Sequence, residues 1–292
     1  MKRWIRNLNR LNFQSGKYSQ SYQDELLLEI LENVETCNTP PFCVEFGFNH
    51  SELIGGTGSN VARLVLDNGW MGLLLDSHNE NLKINLRRHF LTSENICSVF
   101  KTYGVPKYPE YISIDIDSSD LWLFNSILSE YRAMVVSVEY NANFPIDSCV
   151  TFPNEPLKYW QNDRAYGASL SALAMVARQH DYSLIWVVPP LDAFFIRNDL
   201  IEDGTDEITF PLEHWKACAN LPCHKPVSDI EYLKHFLDFG VFSKTGNLER
   251  ARQAAYADAR AFLTDSIDIR SIMRRGLPRT LKNLIRRFVN SP

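Results

Sequence analysis

Over the first two hundred residues the apolar positions follow two alternating rhythms. Short continuous apolar runs bounded by turn residues predict buried strands, and apolar residues three and four apart predict helices. Ser19 can cap a helix with Asp24 and Glu25 in its early turns and a register through Leu26, Leu27, Ile30 and Leu31. Pro40 and Pro41 end it, and residues 42–46 form a buried strand. A glycine-rich turn (Gly47, then Gly55-Gly56-Thr57-Gly58) leads into a helix from near Ser59 to before Gly69. Residues 71–75 are a second strand, stopped by Asp76. The pattern then predicts a helix over 79–90, a short strand over 96–100, a strand over 111–114 and a helix over 121–131. A strand over 133–138 follows, then a helix over 167–180. Strands over 184–188 and 193–196, joined through Pro189-Pro190, close the series.

Strands alternating with helices imply right-handed βαβ units and a doubly wound, mostly parallel α/β sheet. Two closing strands with so short a link must be antiparallel at the sheet edge, because a parallel pair needs a long crossover. The near-continuous apolar run 133–138 suits a central parallel strand covered on both faces. Past residue 200 the pattern turns helical, over 230–239, 247–263 and 269–288. The expected organisation is a basic N-terminal segment (1–17), an α/β domain (18–200) and a helical C-terminal extension with a basic tail (201–292).

Hydrophobic residues make up 45% of the 292 positions and charged residues 22%, enough apolar material for a core and incompatible with a disordered or fibrous chain. No apolar run approaches a membrane span, and the basic N-terminus lacks a signal peptide's apolar stretch, so the expected location is the cytoplasm. Cys37, Cys43, Cys97, Cys149, Cys218 and Cys223 are scattered and read as reduced thiols, not a disulfide framework. The net charge of −5 conceals an asymmetry. Lys2, Arg3, Arg6, Arg10 and Lys17 crowd one end, and Arg270, Arg274, Arg275, Arg279, Lys282, Arg286 and Arg287 the other, leaving an acidic body between. That distribution argues against a nucleic-acid surface and for something local at the termini. Leu281, Leu284, Ile285 and Phe288 share a helical face beside Arg286 and Arg287; such a helix could lie on an anionic membrane surface or pack on the acidic body.

Doubly wound sheets bind ligands at the carboxyl ends of their strands, so those ends carry the candidate chemistry. The first strand delivers Glu45-Phe46-Gly47, where glycine lets backbone approach a ligand. The second ends in Asp76, placed to bond the hydroxyls of a ribose. Both acids could equally satisfy turn amides. Asp115, Asp117 and Asp120 follow the strand 111–114, and Glu139-Tyr140-Asn141 follow 133–138. Asp115, Asp117, Glu139 and Asn141 are candidate catalytic residues. Asp115, Asp117 and Asn141 are oxygen ligands suited to Mg²⁺ or Mn²⁺. The alternative is that Asp120 caps the next helix while Asp115 and Glu139 accept backbone hydrogen bonds. His214, Cys218, Cys223 and His224 could form a zinc site, at irregular spacing. No serine sits in a G-x-S-x-G elbow, which leaves serine nucleophile chemistry without support.

The ordered segments Tyr18-Ser19-Gln20 with Gln23-Asp24, Val44-Glu45-Phe46-Gly47, Ser59-Asn60, Gly69-Trp70-Met71-Gly72, Ser113-Ile114-Asp115-Ile116-Asp117 and Val138-Glu139-Tyr140-Asn141 resemble the FkbM-like S-adenosylmethionine-dependent methyltransferases. Gly167-Ala168-Ser169-Leu170 and Ala193-Phe194-Phe195 resemble that group's later segments, so the likeness spans about residues 18 to 200. It implies a seven-stranded Rossmann-like methyltransferase sheet with a reversed last strand. It also implies a cofactor site lined by Glu45 and Gly47, with Asp76 on the ribose and Ser59 and Asn60 opening the second helix. Two segments depart from the group: Phe48-Asn49-His50 with extra residues after the first strand, and Asp76-Ser77-His78 after the second. The function expected is S-adenosylmethionine-dependent O-methylation of a hydroxyl on a sugar, glycan or small metabolite, with Mg²⁺ or Mn²⁺ assisting. Two alternatives stand beside it. Asp115-Ile116-Asp117 also fits the Asp-x-Asp of a glycosyltransferase holding a metal-bound nucleotide sugar. A blocked crevice at residues 49–58 would instead suit a non-catalytic binding protein on the same fold.

Overall fold

The computed structural model describes residues 3–8, 10–155, 160–201, 225–227 and 229–264. In chain order its strands are β1 (Phe42–Phe46), β2 (Met71–Asp76), β3 (Leu86–Arg88), β4 (Tyr111–Ile114), β5 (Val135–Glu139), β6 (Val150–Thr151), β7 (Tyr182–Val187), β8 (Asp192–Arg197) and β9 (Leu237–Asp238). Seven of them make one sheet in the order β3-β2-β1-β4-β5-β8-β7. β1 to β5 are parallel, and β8 runs antiparallel to both its neighbours, β5 and β7. The doubly wound, mostly parallel Rossmann-like architecture is therefore present. One expectation changes: the run ending at Glu139 is parallel to β4 only. The link through Pro189-Pro190 forces the chain to reverse, and the returning strand lands between β5 and β7, so β7 is the edge.

Side chains along a strand alternate between faces, and the two faces bury different helices. Phe42, Val44 and Phe46 pack with Ile112, Ile114, Val136 and Val138 against α4 (Ile96–Thr102), α5 (Asp120–Glu130) and α6 (Leu170–Gln179). On the other face Cys43, Leu74, Tyr111, Val135 and Ile196 pack against α1 (Arg3–Leu8), α2 (Gln23–Glu32) and α3 (Ala62–Asn68). Gly69 ends α3 in the left-handed conformation (φ 69°), which glycine adopts without a Cβ penalty. The helix expected at Ser19 starts later, at Gln23. Ser19 still serves it, since its Oγ accepts from the Asp24 N–H (2.9 Å), while Asp24 Oδ2 accepts the Lys17 and Tyr18 N–H groups.

Two expected elements exchange identity. Residues 79–90, expected as helix, form a 3₁₀ turn (Leu82–Ile84) and the short strand β3. Asn85 takes the left-handed turn (φ 55°), which ends the helical turn and lets only Leu86–Arg88 extend as strand. Residues 96–100, expected as strand, begin α4, because Ile96, Val99 and Phe100 are spaced for one helical face.

The helical extension is not separate from the sheet. A third core joins Phe144, Val150 and Phe152, from the connection between β5 and α6, to Tyr232, Leu233 and Phe236 and to Ala255, Ala259 and Leu263 of α8 (Leu248–Leu263). β6 pairs antiparallel with β9, just before α7 (Phe239–Thr245). The expected helix 230–239 is thus a 3₁₀ segment (Ile230–His235), β9 and the start of α7. The predicted helix 269–288 lies outside the described residues. No helix among those described is long and apolar enough to cross a membrane.

Candidate functional site

The register of the sheet brings acids together. Glu45 of β1 lies opposite Ser113 of β4, which lies opposite Ser137 of β5. Glu139, two residues after Ser137, lies opposite Asp192, the first residue of β8. Asp115 follows Ser113 by two. By strand alternation Glu45, Asp115, Glu139 and Asp192 all point to the α2/α3 face, at the carboxyl edge of β1, β4 and β5. Gly47 (φ 81°) makes this approach possible: a Cβ there would sit 1.4 Å from the Asp115 carbonyl oxygen.

Glu45 is held from three sides. Ser59 Oγ donates to Oε2 (2.6 Å), and the backbone N–H groups of Asn60 (2.8 Å) and Val61 (3.4 Å) donate to Oε1 and Oε2. Burial pushes its carboxyl up to about 7 against those hydrogen bonds. Burial also lifts Asp115 and Glu139 well above the usual carboxylate range, reinforced by the acids around them. Asp117 rises to about 6 through burial and then Asp120. One oxygen each of Asp115, Asp117 and Glu139 lie within 4.8 Å of one another. Glu139 Oε2 is fully buried with no hydrogen-bond partner among the described residues. Such a trio can share protons, or it can surrender them to a cation.

The other expected residues behave differently. Asp120 serves its own turn, accepting the N–H groups of Ile116 (2.8 Å) and Ser118 (3.0 Å). Asn141 does not complete a metal set. Its Nδ2 donates to the carbonyls of Arg164 (2.8 Å) and Tyr166 (2.9 Å), and its Oδ1 accepts the backbone and side-chain N–H groups of Asn143. With donors and acceptor both engaged, Asn141 shapes the connection after β5 and leaves no lone pair directed at a metal. Asp76 ends β2 as expected. Its Oδ1 accepts from His78 and Asn79 N–H, the turn-amide alternative, while Oδ2 makes no hydrogen bond among the described residues. His214, Cys218, Cys223 and His224 lie outside those residues.

Next to the acids lies a small cleft of about 40 Å³ lined by Gln20, Gln23, Glu45, Gly47, Asn60 and Asp115, among others. Phe48, Thr57 and Gly58 also border it, so the long loop after β1 forms one wall of this small space. Gln20, Gln23, Ser113 and Asp192 escaped the sequence reading as site residues. A signal for three of the strands existed: V-E-F, I-S-I-D and V-S-V-E each place a polar residue at every second position of an apolar run.

No protein-family model matches this chain, and no curated protein matches it.

Proposed function

We propose that the chain is an S-adenosylmethionine-dependent O-methyltransferase acting on a hydroxyl of a sugar, glycan or small metabolite. The observation that carries this reading is the convergence of buried strand-end carboxylates beside a small polar cleft, their acidity set by burial and by one another. A ligand bearing an ammonium and a sulfonium group suits such a wall, because bound positive charge offsets the cost of ionising buried acids. The strand order with its reversed β8 and the ordered segments resembling the FkbM-like group support the same reading. In it, Glu45 faces the cationic end of the cofactor, Ser59 and Asn60 hold Glu45, Gly47 admits close approach, and Asp76 Oδ2 accepts from the ribose hydroxyls.

Methyl transfer is an in-line displacement. The acceptor oxygen bonds to the methyl carbon as the carbon–sulfur bond breaks, the sulfur keeps the electron pair, and the hydroxyl proton leaves to a base. Asp117 suits that base, since burial sets its carboxyl near 6, close to an ordinary working pH. Alternatively, Mg²⁺ or Mn²⁺ held by Asp115, Asp117 and Glu139 would ready the acceptor hydroxyl by lowering its pKa, with Asp117 then a ligand in place of the base. The same trio gives the glycosyltransferase reading its one specific support, since both acids of Asp115-Ile116-Asp117 belong to it.

Methyl transfer from isotopically labelled S-adenosylmethionine to a panel of sugars and phenols, with and without Mg²⁺, separates the two. Labelled product supports the methyltransferase; transfer only from nucleotide sugars with Mn²⁺ supports the alternative. Asp76→Ala should weaken S-adenosylhomocysteine binding about tenfold, the value of one charge-assisted hydrogen bond, and also lower the melting temperature, since Oδ1 no longer accepts the His78 and Asn79 N–H groups. Unchanged affinity would refute the assignment of Asp76 to the ribose.

A further inference from the structure

Asp192 has no place in the chemistry above, yet it is 3% exposed and its side chain is joined to α2 and to the loop before α3. Its Oδ2 accepts from Gln23 Nε2 (2.7 Å), at the first residue of α2, and from Asn60 Nδ2 (3.0 Å). Asn60 donates its second amide hydrogen to Ser113 Oγ (3.0 Å), which stands 3.2 Å from Ser137 Oγ. The backbone N–H of the same Asn60 holds Glu45 Oε1. The loop carrying Asn60 is also seated on the Tyr18–Gln20 segment: Ser59 N–H donates to the Tyr18 carbonyl (3.0 Å), and a Cβ at Gly58 (φ 114°) would meet Tyr18, Ser19 and Gln20 backbone within 2.9 Å.

We infer that Asp192 is a positioning residue for the cofactor cleft, acting through Asn60 on Glu45, with Gln23 as its second anchor. This deepens the methyltransferase reading and rests on it for the identity of the ligand. The physical argument concerns one oxygen. Both amides donate to Oδ2, so this acceptor, with Ser113 Oγ, fixes the side chain of Asn60, and two further donors, Ser59 Oγ and the Asn60 N–H, are then aimed at Glu45. Removing that acceptor leaves two buried amide donors unpaired, and buried unpaired donors recruit water or move. Asn60 would turn from Asp192, and Glu45 would lose the geometry that faces the cleft. The contribution of Asp192 is acceptance, not charge. An asparagine of the same shape offers the same oxygen to Gln23 and Asn60, with Ser137 beside it.

The test uses the full chain, S-adenosylhomocysteine as probe in calorimetry, and hydrogen exchange at the amides of residues 59–61 without ligand. Asp192→Ala should weaken binding at least tenfold and speed exchange at those amides, whereas Asp192→Asn should restore both to within about threefold of the parent. Asn60→Ala should weaken binding to a similar extent, and the double variant Asp192→Ala/Asn60→Ala should be no weaker than either alone, because the two act as one unit. Additive losses, or an asparagine variant as impaired as alanine, would overturn the relay. If the parent chain binds no S-adenosylhomocysteine, the methyltransferase reading fails, and exchange still decides the relay. Fast exchange in the alanine variant that asparagine reverses supports it, and unchanged exchange refutes it.

Discussion

At the scale of single residues the site is defined by acids held where ionisation is costly. Glu45 is pushed to about 7, and Asp117, Asp120 and Asp192 to about 6, from ordinary values of 4.5 and 3.8. Acids whose folded values lie above their unfolded ones bind more protons when folded, so their protonation favours the folded state at low pH. That stability is lost as pH rises from about 4 through 7. The melting temperature of the ligand-free protein should therefore fall across this window, and saturating Mg²⁺ should reduce the fall. A melting temperature that climbs from pH 5 to 8 without ligand would contradict these shifts. Asp117 adds backbone strain, at φ 56°. Asp117→Gly should raise the melting temperature, since a left-handed conformation costs a non-glycine residue about 1–2 kcal/mol, while abolishing divalent-ion binding. Loss of stability in that variant would show that Asp117 supports the fold.

At the scale of elements, legibility followed period. β1, β2 and β4 could be read from apolar runs, because buried parallel strands need apolar residues on both faces. Residues 79–90 and 96–100 defeat the pattern because their apolar residues are few: the left-handed Asn85 breaks the first, and Ile96, Val99 and Phe100 stand three and four apart, as on a helix. Glu45, Asp115, Asp117 and Glu139 were legible because they end strands. Asp192 was not, since it begins one and its partners lie at residues 23 and 60. Asn141 resembled a ligand until its hydrogen bonds were traced. The β1 turn makes its own prediction. Gly47→Ala should cost more than about 3 kcal/mol in urea unfolding, because a Cβ meets the Asp115 carbonyl and the backbone is left-handed as well. A loss below 1 kcal/mol would mean β1 and β4 can part at their ends without consequence.

At the scale of the whole molecule, the connection between β5 and α6 and residues 225–264 form one core beside the acidic edge of the sheet. Ser93 Oγ donates to Asn154 Oδ1 (3.1 Å), so this connection reaches the segment following β3. Its anchor is α8, whose Ala251, Ala255 and Ala259 are fully buried along one stripe. Composition could announce a helical extension, but not that it would pack on a segment more than eighty residues earlier. The acidic body read from the charge pattern acquires a location, in part, in the carboxylates at the strand ends. Whether this edge receives S-adenosylmethionine is decided by calorimetric titration of the purified chain with S-adenosylmethionine and S-adenosylhomocysteine, with and without Mg²⁺. Micromolar binding of both, weakened by Asp76→Ala, is expected; absence of binding under every condition, in a protein that melts cooperatively, would refute it.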